Sequence, residues 1–289
     1  MASVDLVIPV YNEERVLARS VTAVLDWCKQ HPEHEWRIVV ANNASTDETL
    51  SIAHSLAKLH PDAVVAHDVP VKGRGIALRT AWLTSRAEIC AYLDVDLATD
   101  LAHIPELIDP IAAGQVDVAF GTRLHPRSQT ERGLQREVLS RGYVLILNAV
   151  LRLRVSDAQC GFKAISREAL RAIVPLVRDS AWFFDTELLT IAQRNGYRLR
   201  EVPVRWTDDP DSRVAIVSTA LEDLKGVWRL LAGGIPTVAR GDAAADAGAG
   251  TGRGAPGGAE DAAEDGVEPL PPPPSHPGGG PPPNPPRVP

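Results

Sequence analysis

Two carboxylates one residue apart, Asp94-Val95-Asp96, follow a short apolar run, Ile89-Cys90-Ala91-Tyr92-Leu93. The run reads as a buried strand, so the pair stands at a strand's C-terminal end, where open α/β sheets keep their ligand crevice. Successive side chains on a strand point to opposite faces, but at its end the chain turns and both can reach one site. Carboxylate oxygens suit hard divalent cations, which are commonly bound together with substrate phosphates. The chemistry on offer is a metal holding a nucleotide diphosphate. A pair of solvated loop acids is the alternative, and the tripeptide alone does not choose between them.

Other strand ends add polar groups. The first closes with Pro9-Val10-Tyr11-Asn12-Glu13, where Tyr11 can wall a base and Asn12 can equally cap a helix. The second closes with Asn42-Asn43-Ala44-Ser45-Thr46-Asp47, and Ser45 is a candidate cap for the helix that follows. After the third comes Lys72-Gly73-Arg74-Gly75, two cations interleaved with glycines, which lets backbone and charge approach an anion. This loop is neither a dinucleotide fingerprint nor a Walker A loop. Four strand ends offering polar groups to one sheet edge say more than any one of them.

The elements that position these groups alternate. Residues 4–10, 37–41, 63–66, 89–93 and 116–121 read as strands, and 13–29, 47–59, 75–85 and 103–113 as helices. Alternation of this kind predicts right-handed crossovers and a mainly parallel α/β sheet. Beyond Thr122 the spacing predicts a helix over 134–153, a loop and short strand over 156–166, and a helix over 185–194. An alternating strand over 198–206 and a final amphipathic helix over 217–231 follow. Trp182-Phe183-Phe184 could line an entrance or belong to the core.

The chain has 289 residues with 44% hydrophobic content, enough for one sizeable core. Cys28, Cys90 and Cys160 show no metal-ligand spacing and read as free thiols in a reducing compartment. The first residues lack a basic segment ahead of an apolar one, so no secretory signal is expected. No apolar stretch approaches the ~20 residues needed to span a bilayer. The net charge of −7 is uneven: residues 241–289 hold seven acids against Arg253 and Arg287, whereas residues 123–154 hold seven arginines against Glu131 and Glu137. The basic stretch predicts an anionic partner, though nothing calls for a nucleic acid. Residues 241–289 are Gly, Ala, Pro and acid, a composition that predicts a disordered tail.

Taken in order, Pro9-x-Tyr11-Asn12-Glu13, Asn42-x-x-Ser45-Thr46-Asp47-x-Thr49, Lys72-Gly-x-Gly75 and Asp94-x-Asp96 resemble glycosyltransferase family 2. The second half narrows the likeness. Gly121-Thr122-Arg123, Asp157-Ala158-Gln159-Cys160-Gly161-Phe162-Lys163, Phe184-Asp185-Thr186-Glu187-Leu188-Leu189, Val204-Arg205-Trp206 and Ser212-Arg213-Val214 look like the polyprenyl-phosphate glycosyltransferases. Gln-Cys-Gly-Phe-Lys and Asp-x-Asp-x-Ala-Thr look more like the dolichyl-phosphate β-glucosyltransferases than the mannosyl enzymes. The resemblance covers about residues 3 to 230.

The resemblance implies a GT-A fold in one catalytic domain over 1–240, with a nucleotide-sugar half at 1–122, an acceptor half at 123–240 and a tail at 241–289. It implies a nucleotide-sugar donor, a divalent cation (Mg²⁺ or Mn²⁺) and a polyprenyl-phosphate acceptor. Asp96 would hold the metal, with Asp94 beside the metal or ribose. Pro9, Tyr11 and Glu13 would line the base and ribose pocket, and Lys72 would help hold the donor. Asp157 and Gln159 would flank the reacting sugar, and Arg123, Arg136, Ser140 and Arg213 would serve the acceptor phosphate. Many relatives carry Asp where this chain has Asn42, a base contact, so the choice between uracil and guanine stays open. A lipid monophosphate is already anionic, which makes Asp157 an orienting group rather than an obligatory base. UDP-glucose is the expected donor and GDP-mannose the rival. A saccharide-acceptor enzyme and a non-catalytic nucleotide- or lipid-phosphate-binding module are the more distant readings.

The lipid acceptor has to be reached from a membrane surface. Residues 132–154, apolar with arginines at both ends, have the composition of an interfacial helix, with an ordinary core helix as the alternative. Residues 227–231 are a second candidate. A cytoplasmic enzyme held peripherally at the cytoplasmic membrane face is the resulting expectation.

Overall fold

A computed structural model describes residues 1–131, 134–207 and 216–238, with side chains except those of residues 131–140, 143 and 216–221. The expected tail and Arg213 lie outside the described residues. The strands are β1 (Ser3–Val10), β2 (Glu35–Asn43), β3 (Val64–Val69), β4 (Ile89–Leu93), β5 (Val118–Thr122), β6 (Gln129–Glu131), β7 (Phe162–Ser166), β8 (Leu199–Pro203) and β9 (Arg205–Thr207). The helices are α1 (Leu17–Gln30), α2 (Thr49–Leu59), α3 (Arg74–Thr84), α4 (Ile104–Ala112), α5 (Leu134–Leu151), α6 (Arg167–Ile173), α7 (Phe184–Arg194) and α8 (Ile216–Gly233).

Seven strands form one sheet in the order β3-β2-β1-β4-β7-β5-β8. All neighbours run parallel except β7, which is antiparallel to both β4 and β5. β1 lies between β2 and β4, so the chain winds outward to either side from it, and a sheet of this kind binds ligands in the crevice at that reversal. Both faces are covered. Leu6, Ile8 and Val10 of β1 join one apolar cluster, and Val7 joins the other with Trp82, Tyr92, Phe120 and Phe184. Burial on both faces is why these strands read as unbroken apolar runs rather than as alternation.

Several boundaries differ from those read in the sequence. The first helix starts at Leu17 rather than residue 13, because residues 13–16 form a turn in which Val16 and Leu17 donate to the Glu13 carbonyl. Ser45 does not cap the second helix. Its Oγ accepts from the Asn12 amide at 3.0 Å, while Asp47 Oδ1 accepts from the Thr49 amide that opens α2. The single strand expected over 198–206 is two: β8 extends the main sheet beside β5, and β9 pairs with β6 in a separate two-stranded sheet. The three cysteines are free, and burial pushes each thiol up to about 12, which leaves them unreactive.

Candidate active site

The ends of β1, β2 and β3 are tied to one another. Asn12, at φ 55°, accepts from the Thr46 amide at 2.8 Å, and the Glu13 amide donates to Thr49 Oγ1 at 2.8 Å. Asn and Asp tolerate this left-handed backbone because a short polar side chain can bond locally. Pro9 sits opposite Ala41, and Val10 opposite Asn42. Tyr11 presents its ring to Lys72, whose Nζ lies 4.0 Å from the ring centroid. Asn42 is buried and donates from Nδ2 to Asp68 Oδ1 at 2.9 Å. Asn43 accepts from the Gly73 amide at 2.7 Å. Gly73, at φ 153°, leaves no room for a side chain, since a Cβ there would stand 2.3 Å from the Ser180 carbonyl oxygen. Gly75 meets the same loop, so the glycines let the Lys72–Arg74 segment close against Asp179 and Ser180.

Next along the edge is the acidic turn. Asp94 leaves β4 with its amide bonded to the Gly161 carbonyl at 3.2 Å. A Cβ on Gly161 would fall 1.7 Å from Asp94 Oδ2, so that carboxylate lies directly over the glycine. Arg74 Nη2 reaches Asp94 Oδ1 at 2.7 Å, and the guanidinium lies 4.8 Å from the Trp182 ring centroid and 5.2 Å from that of Tyr92. Burial works to lower the Arg74 pKa, but Asp94, Tyr92 and Asp185 outweigh it and hold the guanidinium above its ordinary value. Leu97, at φ 52°, turns the chain, and exposed Asp96 accepts from the Ala98 amide at 3.0 Å.

Beyond β7 stands a third carboxylate, Asp157, only 1% exposed. It accepts from Arg123 Nε at 2.7 Å, Arg123 Nη2 at 3.1 Å and the Arg123 amide at 3.1 Å, and from the Gln159 amide at 3.0 Å. Burial alone would raise its pKa, but Arg123 holds it below the ordinary carboxylate value. The Arg123 guanidinium faces the Trp206 ring at 5.6 Å. Gln159 Nε2 donates to Asp223 Oδ2 at 2.8 Å, which brings α8 into the site. Ser156, which precedes Asp157, is held through its amide and hydroxyl by Glu201.

Beneath this edge lies a buried charged layer. Lys163 is fully buried and donates to the Cys160 carbonyl at 2.6 Å, with Asp185 3.1 Å away. Tyr92 donates its hydroxyl to Asp185. Burial, then Asp185, raises the Tyr92 pKa well above its ordinary value, so the phenol stays a donor. Glu187 accepts from the Asp179 amide at 2.7 Å and from Arg229 Nη2 at 2.7 Å, which fixes the loop that packs on Gly73 and Gly75. The 184–189 motif therefore braces the site from below. Phe183 and Phe184 are core, whereas Trp182 is 37% exposed beside Arg74.

The chain matches the family described as Glycosyl transferase family 2 over residues 5–174. It is a member of glycosyltransferase family 2. It is 37% identical over 232 residues to Glycosyltransferase AglD of Haloferax volcanii, covering 78% of this chain and 37% of that protein. It is 31% identical over 220 residues to Dolichyl-phosphate beta-glucosyltransferase ALG5C of Trichomonas vaginalis, covering 73% of this chain and 65% of that one. The chain thus spans little more than a third of the first relative and just under two thirds of the second. Glucosyl-3-phosphoglycerate synthase of Mycobacterium tuberculosis, in complex with Mn²⁺, UDP and glucosyl-3-phosphoglycerate, superposes with a TM-score of 0.59 at 19% identity over 81% of each chain. This likeness shows the GT-A fold.

The turn offers a divalent cation two hard donors, Asp94 (its side chain 34% exposed) and exposed Asp96. That set fits a cation of the Mg²⁺ type, which takes one or two carboxylates and fills its shell from phosphates and water. Among the described residues no group of three or more His, Cys, Asp or Glu could hold a metal by itself, so the other ligands would come from substrate or water. Arg136 and Ser140 fall on α5, but their side chains lie outside the description.

α5 and α8 pack together and bury Val144, Leu147, Leu151, Val227 and Leu230. Their outer faces leave Leu145 (70%), Ile146 (56%), Leu224 (55%), Trp228 (71%) and Leu231 (55%) exposed. α5 thus has a buried face, as the core-helix alternative requires, and an exposed apolar face. Among the described residues no helix is long and apolar enough to cross a membrane. Sequence reading passed over Asp68, Glu201 and Asp223, which reach site residues 26, 45 and 64 positions away. It saw Arg74 only as one cation of a loop.

Proposed function

We propose that this glycosyltransferase moves glucose from UDP-glucose onto a polyprenyl (dolichyl-type) phosphate at the cytoplasmic face of a membrane, with inversion at the anomeric carbon. Residues 1–122 would bind the donor and residues 123–240 the acceptor. The reading is carried by α8, which places Asp223 on Gln159 at 2.8 Å while leaving Leu224, Trp228 and Leu231 exposed. One helix thereby joins the reaction edge to an apolar outer face suited to a lipid surface. Relatives with dolichyl-phosphate beta-glucosyltransferase in their names, and structural neighbours holding UDP-glucose and Mn²⁺, support the same choice.

In this reading Pro9, Tyr11, Glu13 and Asn42 enclose the base and ribose, and Lys72 leaves the Tyr11 ring to meet the diphosphate. Asp94 and Asp96 would hold the Mg²⁺ or Mn²⁺, which when bound neutralises charge on the leaving nucleotide. An acceptor phosphate oxygen attacks the anomeric carbon as its bond to the diphosphate breaks, and the bonding pair leaves with the nucleotide. The phosphate oxygen is already anionic, so no proton need be removed. Asp157 suits that mechanism, because a carboxylate held below its ordinary pKa by Arg123 is a weak base and a firm anchor. Arg123, Arg136, Ser140 and Arg213 are the groups proposed for the acceptor phosphate.

A donor screen tests the reading. Protein with Mg²⁺ or Mn²⁺ and a short polyprenyl phosphate is offered labelled UDP-glucose, UDP-galactose, UDP-GlcNAc or GDP-mannose, and organic-phase label is counted. Label from UDP-glucose alone, lost in Asp96→Ala, is the expected result. Label from GDP-mannose alone corrects the sugar. No organic-phase product from any donor, with UDP still bound, overturns the lipid-phosphate acceptor.

A further inference from the structure

Asn42 holds an unusual position among the polar groups of the donor edge. It is 1% exposed, its Nδ2 donates to Asp68 Oδ1 at 2.9 Å, and its Oδ1 is buried without a hydrogen-bond partner. A carboxylate only accepts hydrogen bonds, so it faces the amide's nitrogen and not its oxygen. Asp68 therefore fixes which way the Asn42 amide points. Asp68 itself is exposed at the end of β3, in register with Asn42 of β2, and the β1 residue in register with Asn42 on its other side is Val10, next to Tyr11.

We infer that Asp68 is a specificity-determining residue: by locking the Asn42 amide it presents an acceptor, Oδ1, beside the remaining N–H of Nδ2, and so selects bases that carry a ring N–H next to a carbonyl. The inference deepens the nucleotide-donor reading and rests on it. Uracil has such an edge at N3–H and its flanking carbonyls. Cytosine has the reverse, an unprotonated ring nitrogen beside an amino group. Pairing with cytosine requires the amide to flip, and a flip turns Oδ1 toward the Asp68 carboxylate, where two acceptors oppose each other. A buried acceptor with no donor is also costly to leave unpaired, so an arriving ring N–H removes a penalty that an amino-edged base leaves in place. Oδ1 is shielded, and base entry must part what covers it.

The test is calorimetric titration of the full chain with UDP and with CDP, in the presence of Mg²⁺. The wild type is expected to bind UDP at least tenfold more tightly than CDP. In Asp68→Ala the amide is free to flip, and the CDP:UDP ratio of dissociation constants falls about tenfold, chiefly through tighter CDP binding. Asn42→Asp places two carboxylates together and weakens UDP binding. Asn42→Asp combined with Asp68→Asn exchanges the partners, leaves an acceptor but no N–H at position 42, and recovers rejection of CDP with UDP binding raised above that of Asn42→Asp alone. A merely structural Asp68 would lower both affinities together and leave the ratio unchanged, which overturns the inference while sparing the donor reading. A double exchange that binds UDP no better than Asn42→Asp alone overturns it too. A wild type that binds neither nucleotide removes the donor reading and this inference with it.

Discussion

Two arginine–carboxylate pairs stand on the same sheet edge, and they are built differently. Arg123 grips Asp157 with two guanidinium nitrogens and its own amide, and the carboxylate side chain is 1% exposed. Arg74 reaches Asp94 through one nitrogen of its guanidinium, and that carboxylate is 34% exposed. The first pair is closed on itself and sets backbone and side-chain geometry around Gln159. The second leaves its carboxylate open to exchange its partner. A site that must hold a reacting group still while admitting a charged ligand needs both kinds, and here they stand at the ends of β4 and β5, on either side of β7.

The largest effect should come from breaking the closed pair. Arg123→Ala leaves Asp157 buried without its partner, a situation that costs about 3–5 kcal/mol, and urea denaturation at pH 7 should show it. The pH dependence sharpens the point. In the wild type Asp157 titrates below its unfolded value of about 3.9, so its contribution is complete above that value and is lost as pH falls through the folded one. Without Arg123 the largest remaining influence is burial, which raises the pKa. The sign then reverses, and the variant should lose stability as pH rises from 4 to 7. Glu187, which burial holds above its ordinary value, contributes the same slope to both proteins and cancels in their difference. A variant that loses less than about 1 kcal/mol would show that the two pairs are alike after all.

The open pair should fail in the other currency. Asp94→Asn keeps the shape and the fold but removes the charge, and the transfer rate should fall roughly 100- to 1,000-fold, the range for losing one preorganised electrostatic group. Gly161→Ala should imitate it, because the added methyl would lie 1.7 Å from Asp94 Oδ2 and must push the carboxylate aside. Initial rates beside a thermal melt separate the two cases. Equal losses of rate and of stability in Asp94→Asn would mean that this pair is structural as well.

The outer helices permit a test of intermediate size. Trp228→Ser with Leu231→Ser removes two side chains that are 71% and 55% exposed. Flotation with anionic liposomes should fall severalfold, while turnover of a water-soluble short-chain acceptor changes little. Loss of both activities together would place these residues in the fold instead.

The difference between the pairs could be read from the sequence only in part. The 89–93 run followed by Asp94 and Asp96 announces a strand end with acids, because burial on both faces makes β4 uniformly apolar. Nothing local says that Arg74 turns to Asp94, 20 residues on, or that Asp68 holds Asn42 and Asp223 holds Gln159. Those contacts come from strand order and helix packing. The missed α6 spans seven residues, too few for a convincing 3.6-residue period, although Ser166, which accepts from the Ala169 amide, marks its start. The alternation over 198–206 runs through Pro203 unbroken while the partner strand changes from β5 to β6, and pattern cannot register a change of partner.

The smallest expected effect is the most discriminating. Arg74→Ala removes a one-nitrogen contact, and because the carboxylate left behind is 34% exposed and can be solvated, the loss should stay below that of Arg123→Ala even though the guanidinium itself is only 13% exposed. For a domain of this size each ~1 kcal/mol lost lowers Tm by roughly 2–4 °C. Loss of the contact to Trp182 adds little, since that ring is itself 37% exposed. Released Asp94 should also bind Mn²⁺ more tightly in the absence of nucleotide, because the cation no longer competes with a guanidinium for Oδ1. Paramagnetic titration reads that affinity without any turnover. A drop in stability matching that of Arg123→Ala, or a weaker hold on Mn²⁺, would mean that Arg74 builds the turn instead of guarding it.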